Sequence, residues 1–289
     1  MKISVLTFFL SFFCLTSAFG QPLKFGIASI VSPEESLNLY SEMNDYLSEK
    51  LGKPIVPVIK RDYDEMNRMI AENEVDIASV CTGALPYLND KQVRVLAVPE
   101  NEGKHSYRSF IIANKKYGIK SISDLQGKVF AFTDRLSNSG TLYPSFMVIQ
   151  KFQKTPEKVF SKIYYTKSHD RSIYLVNKGV IQAAAVDSLI FNFIKANEPE
   201  KVSNIAVIHQ SSDLISPPIV ASANLSKENY DKIRKILLDM DKDKKGKSIL
   251  KRLKIDRFVP ASVEDYHLIK KMKAEVDKFY SETHTRKSK

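Results

Sequence analysis

At 289 residues and 43% hydrophobic content, the chain can bury one large or two medium cores, and its length favours two units of roughly 100 to 150 residues. The formal net charge of +11 suits attraction of anionic ligands, anionic lipid or an acidic partner surface, whereas lysines interleaved with acids on helical segments argue against a nucleic-acid stripe. Two cysteines and five histidines at unrelated spacings give no disulfide framework and no metal site, and no P-loop, dinucleotide fingerprint or nucleophile elbow is present.

Met1 to Gly20 reads as a secretory signal: Lys2 is the charged start, Ile3 to Phe13 the apolar stretch and Ala18-Phe19-Gly20 the cleavage region. The mature chain then starts near Gln21 and keeps only Cys81, read as a small core residue. A retained membrane anchor is the competing reading, against which stand the short apolar stretch and the lack of stop-transfer charges. Leu23 to Ala28 is the first strand, and Ser32-Pro33-Glu34-Glu35 is a helix start with cap, first-turn proline and capping-box glutamate. Ile55 to Ile59 is a strand that Pro57 pushes to an edge, and a helix follows from about Tyr63 to Asn73. Val75 to Val80, Val93 to Val98 and Tyr107 to Ala113 are three more strands.

A second cycle begins with a short helical stretch over Ser121 to Leu125 and a strand over Val129 to Phe132. Leu142, Tyr143, Phe146, Ile149 and Phe152 then recur at helical spacing, Lys162 to Tyr165 is a strand, and Ser168 caps a helix that runs to Lys178 with Gly179 as its stop. Ile181 to Val186 and Ile205 to His209 are strands, and Ile219 to Ala223 is extended. Two amphipathic helices capped by Ser226 and Ser262 end the chain, with the basic run Lys242 to Lys254 on a solvated surface. Alternating strands and helices indicate an α/β fold with parallel or mixed sheets. No flexible linker separates the units, so ordered crossings near Ile112 to Asn114 and Ser212 to Pro218 form a hinge. The expected division is a signal over 1–20, a discontinuous lobe over 21–113 and 215–289, and a second lobe over 114–214.

The chemistry concentrates in Asp134 to Pro144, where a strand ends and a helix begins. Pro144 is tolerated in a first turn, so the helix is expected to start near Gly140 or Thr141, leaving backbone N–H groups from Ser139 to Thr141 without intrahelical partners. Such groups at the positive end of a helix dipole suit an anion, although a Ser/Asn-rich stretch is also what an ordinary cap and turn look like. His169 opens a helix after a strand and could donate to an anion there, or be a surface capping-region residue. Asp187 ends an apolar run and must find partners or face a cleft; it could accept a ligand proton or cap the segment from Ser188 onward. Tyr63, Tyr107 and Thr82-Gly83 complete the candidates, the tyrosines being more readily read as partly buried packing residues. Ser139, His169 and Asp187 make a triad on paper, as scattered Ser, His and Asp do in most proteins.

Leu23-Lys24-Phe25-Gly26-Ile27, Ser32-Pro33-Glu34-Glu35, Arg61-Asp62-Tyr63, Val75-Asp76-Ile77-Ala78, Tyr107 to Lys115, Ser137-Asn138-Ser139-Gly140, Ser168-His169-Asp170, Ala184-Ala185-Val186-Asp187-Ser188 and Pro217-Pro218-Ile219-Val220 together resemble, in order and spacing, the periplasmic phosphate, phosphite and phosphonate binding proteins of ABC importers. The resemblance implies a type II periplasmic-binding-protein fold, two α/β lobes closing over a ligand. It also implies that Ser137, Asn138 and Ser139 hold phosphoryl oxygens, with His169, Tyr63, Tyr107, Asp187 and Thr82 completing the pocket. Family members often carry threonine where Asn138 stands and glycine where Lys167 stands, and here Arg135 puts a cation beside the expected anion site. The function so implied is capture of a small phosphorus oxyanion by a monomer, without cofactor or catalysis, for a permease in the inner membrane. The alternatives are a periplasmic sensor component that presents its liganded form to a receptor kinase, and a secreted hydrolase using Ser139 and His169.

Overall fold

The structure is a computed structural model that describes residues 21–28, 33–60, 62–89 and 91–285; the expected signal over 1–20, with Cys14, and also Ser32 and Arg61 lie outside these. The chain runs β1 (Leu23–Ala28), α1 (Pro33–Leu51), β2 (Ile55–Lys60), α2 (Tyr63–Ala71), β3 (Ile77–Ser79), β4 (Val93–Glu100), β5 (Ser106–Tyr107) and β6 (Ser109–Asn114). It continues with β7 (Val129–Phe132), α3 (Tyr143–Phe152), α4 (Pro156–Val159), β8 (Lys162–Tyr165), α5 (His169–Asn177), β9 (Ala183–Asp187), α6 (Ser188–Asn197), β10 (Ile205–Gln210) and β11 (Leu214–Ile215). The last elements are β12 (Ile219–Ser222), α7 (Lys227–Leu238), α8 (Lys244–Leu253), β13 (Arg257–Val259) and α9 (His267–Thr285).

Two mixed sheets result. The first has the order β13-β4-β12-β3-β1-β2, with β1 parallel to both β2 and β3 and β12 antiparallel to β3 and β4. Pro57 lies on β2, which is an edge strand as expected, so its missing N–H interrupts no central ladder. The second has the order β10-β6-β9-β7-β8, parallel across β9-β7-β8 and antiparallel across β10-β6-β9. Because side chains alternate along a strand, Ile112, Ala184 and Val186 join one core while Ile111, Ala113, Ala183 and Ala185 join the core on the opposite face. That sandwiching explains why β9 reads as an unbroken apolar run ending in Asp187.

β5 pairs with β11 in a two-stranded ribbon between the sheets. The expected single strand from Tyr107 to Ala113 is therefore broken at Arg108, where the chain passes from ribbon to second sheet. All of β6 pairs with β9 and β10, so the first crossing falls at Arg108 and not after residue 113. The return passes through β11, between β10 of the second sheet and β12 of the first. The strand expected over Val75 to Val80 is confined to Ile77–Ser79, which lies between Phe25–Ile27 of β1 and Ile219–Ala221 of β12. Three helices, not two, end the chain. The basic run expected on a solvated surface forms α8, whose Gly246, Ile249 and Leu250 are buried while its lysines face out, an amphipathic pattern that the lysine count obscures.

Candidate anion-binding site

The segment after β7 wraps back on itself. Ser137 is the cap: its backbone is extended and its Oγ accepts the Gly140 N–H at 3.0 Å. A π-helical turn over Asn138–Leu142 leads into α3, with Pro144 in the first α-helical turn. The helix thus starts earlier than the sequence implies. Thr141 and Leu142 both donate their N–H groups to Ser137 O, at 3.1 and 2.9 Å, so with Gly140 also bonded the expected row of free amides is largely used up by the wide turn.

What remains unsatisfied is side chain. Asn138 is fully buried, yet neither its Oδ1 nor its Nδ2 makes a hydrogen bond of good geometry, although the amide neighbours the Tyr107 hydroxyl. The Thr133 hydroxyl, also buried, has no partner either. Leaving a buried polar group unpaired costs roughly 1 to 3 kcal/mol, which a purely structural cap would have no reason to incur. Two glycines shape this loop. A Cβ on Gly140 would overlap the Thr133 hydroxyl, and one on Gly83, from the loop after β3, would overlap Leu136 O and Asn138 N. Gly83 therefore lets a first-sheet loop lie directly on the backbone of the second-sheet loop.

His169 and Asp187 are joined. The Asp187 N–H donates to His169 Nδ1 at 3.0 Å, which makes Nδ1 an acceptor and leaves Nε2–H as the imidazole's donor. Burial pushes the His169 pKa down to about 3, so the ring is neutral. Burial also pushes Asp187 up to about 7, even though its Oδ1 caps α6 by accepting the Leu189 and Ile190 N–H groups. The carboxylate is therefore turned to its helix and does not orient the imidazole, which removes the triad geometry. Ser168 stands at the expected cap position of α5, but its side chain makes no capping bond; its carbonyl instead accepts the Thr166 hydroxyl at 3.0 Å.

The tyrosines are interior. Tyr107 and Thr82 share a hydrogen bond of 2.9 Å. Burial raises both Tyr63 and Tyr107 well above the ordinary phenol range, helped by one another's neighbours Cys81 and Asp187, so these side chains are neutral donors. Ser139 is buried and its carbonyl accepts the Ser109 hydroxyl at 2.6 Å. Arg135 does not point to the site: its guanidinium lies 4.4 Å from the centre of the Tyr165 ring. A cleft of about 1160 Å³ runs alongside, lined among others by Ser79, Cys81, Tyr107, Asp170 and Asp187, and it meets the buried cluster at Tyr107 and Asp187. Sequence reasoning missed Thr133, which is detectable as the polar residue directly after β7; Gly83 is among the candidates beside Thr82, but its close approach to the opposite loop depends on a contact across the cleft, and Cys81 is the core residue expected.

Mixed sheets joined by a ribbon, with polar side chains buried at strand ends between them, define a two-lobed binding protein of the type II periplasmic kind. A solved binding protein component of an ABC phosphonate transporter from Pseudomonas aeruginosa superposes with a TM-score of 0.78 at 22% identity, covering 93% of this chain and 100% of that one. PhnD1 from Prochlorococcus marinus, solved in complex with methylphosphonate, gives 0.81 at 21% identity, covering 89% and 98%. The family model described as the periplasmic substrate-binding protein of phosphonate ABC transporters matches residues 25–266, and the chain belongs to that family. A phosphonates-binding periplasmic protein of Escherichia coli is 28% identical over 81% of this chain and 70% of its own length. A probable phosphite binding protein of an ABC transporter from Prochlorococcus marinus is 25% identical over 63% of this chain and 65% of its own length.

Proposed function

We propose that the protein captures a small phosphorus oxyanion between its lobes and delivers it to an inner-membrane permease of an ABC importer. The observation that carries this reading is the buried Asn138 amide with both polar atoms unpartnered, beside the Thr133 hydroxyl. A tetrahedral oxyanion would accept from Asn138 Nδ2, the Thr133 and Tyr hydroxyls and His169 Nε2–H, and a protonated Asp187 would donate to a further oxygen. Such charge-assisted bonds are about twice as strong as neutral ones, and a water-excluding site strengthens them further. No full countercharge is needed inside. The substituent on phosphorus would extend past Tyr107 and Asp187 toward the cleft.

In this reading the protein binds its ligand without transforming it, as a monomer. Export to the periplasm fits both the family and the signal pattern of residues 1–20. Membership of a transporter family favours delivery to a permease over presentation to a receptor kinase. A thermal-shift screen with phosphate, phosphite, methylphosphonate and sulfate tests the reading, since a ligand at 100 times its Kd stabilises by about 2.7 kcal/mol. A rise in Tm with a phosphorus oxyanion and none with sulfate is expected; a flat response to all of them contradicts it.

A further inference from the structure

Lys167 immediately precedes Ser168 and α5 and holds φ at 68°, a left-handed backbone that a lysine adopts only against a cost. Its ammonium lies 2.9 Å from Asp62 Oδ2 and 3.4 Å from Asp134 Oδ2. Asp62 is the cap of α2, on the first-sheet side, and Asp134 follows β7, on the second-sheet side. The lysine therefore spans the two lobes.

Each carboxylate divides its oxygens in the same way. Asp62 Oδ1 accepts the Asp64 and Glu65 N–H groups of its own helix, and Asp134 Oδ1 accepts the Leu136 N–H of its own loop. In both, Oδ2 faces Lys167, and the Tyr63 N–H also acts on the Asp134 carboxylate. The Lys167 hydrogen bond pulls the Asp62 carboxyl below its ordinary range, while burial raises Asp134, whose side chain is 3% exposed against 44% for Asp62. Asp134 is thus a buried carboxylate that needs the ammonium, and Asp62 is the half-exposed partner that decides where the ammonium rests. Tyr63 follows Asp62 directly, and Asp134 opens the Ser137–Ser139 loop, so the junction borders the site on both sides.

We propose that Lys167 is a positioning residue: it latches the lobes together by bridging Asp62 and Asp134, and thereby lengthens the residence of the bound anion. When the lobes part, the bond to Asp62 is lost while Asp134 stays with Lys167 on the same lobe. That difference between the closed and open states is what a closure equilibrium responds to. Affinity so gained appears in the dissociation rate and hardly in association. The inference rests on the anion-capture reading given above.

The test uses Lys167→Gly, which removes the ammonium and suits the left-handed backbone, and Asp62→Asn, which keeps a capping side chain and removes its charge. Dissociation of methylphosphonate is followed by stopped-flow competition, and the distance between spin labels at exposed Val56 and Val180 is measured in ligand-free protein. Each single variant is expected to release the anion about 3- to 10-fold faster, the double variant no faster than the quicker single one, and the label distances to lengthen in all three. Unchanged release rates, or single effects that multiply in the double variant, overturn the latch. If the wild type binds no phosphorus oxyanion, the capture reading fails, and the distances alone decide: lengthening supports the latch and identical distributions overturn it.

Discussion

Asp187 and His169 oppose each other in their response to pH. The Asp187 carboxyl rises from 3.8 to about 7 on folding, so between those values the unfolded chain holds fewer protons and stability falls as pH rises. The His169 ring falls from 6.5 to about 3, so between those values the unfolded chain holds more protons and stability falls as pH drops. Asp187→Asn retains an oxygen for the Leu189 and Ile190 N–H groups and removes the first effect. Its Tm relative to wild type, measured without ligand, is therefore expected to become more favourable by several degrees from pH 5 to pH 8. A difference that stays constant would show Asp187 to be an ordinary carboxylate. At this scale the sequence exposes residue type and place in the chain: His169 opens α5 after β8 and Asp187 closes β9, and the structure brings the two together. It does not expose the Asp187 N–H to His169 Nδ1 bond, nor the turning of the carboxylate toward α6, because both depend on how β9 and α5 pack.

Among elements, the loop from Asp134 to Leu142 depends on Gly140 and Gly83. Gly140→Ala drives a methyl into Thr133, within the second lobe, and should lower the ligand-free Tm by several degrees, in line with overpacking costs of about 1 to 3 kcal/mol. Gly83→Ala meets backbone atoms of the other lobe, Leu136 O and Asn138 N. It should spare the Tm far more, because the lobes can part, while weakening methylphosphonate binding at least tenfold by calorimetry. Equal Tm losses in the two variants would contradict the assignment of Gly83 to the closing surface. Most strands and long helices were legible from periodicity, β7 and β8 to the residue. The misreadings share a cause: β5 and β6 form one apolar run in sequence but belong to different sheets, and the π-helical turn satisfies N–H groups that an α-helix start would leave free.

For the whole molecule, the order of elements foretold two α/β lobes with two crossings, and the resemblance supplied the family. The return of β12 into the middle of the first sheet was not legible, since nothing local to Ile219–Ser222 names its partners β3 and β4. Nor was the link from Lys167 to Asp62, which are 105 residues apart. The central claim is that Asn138 is buried for a ligand and not for the fold. Titration calorimetry of Asn138→Ala with methylphosphonate, paired with its ligand-free Tm, tests it most directly. Loss of a bond to a charged group, about 1.5 to 3 kcal/mol, predicts roughly 10- to 100-fold weaker binding with a Tm equal to or above wild type. Wild-type affinity in a variant of lowered Tm would contradict it.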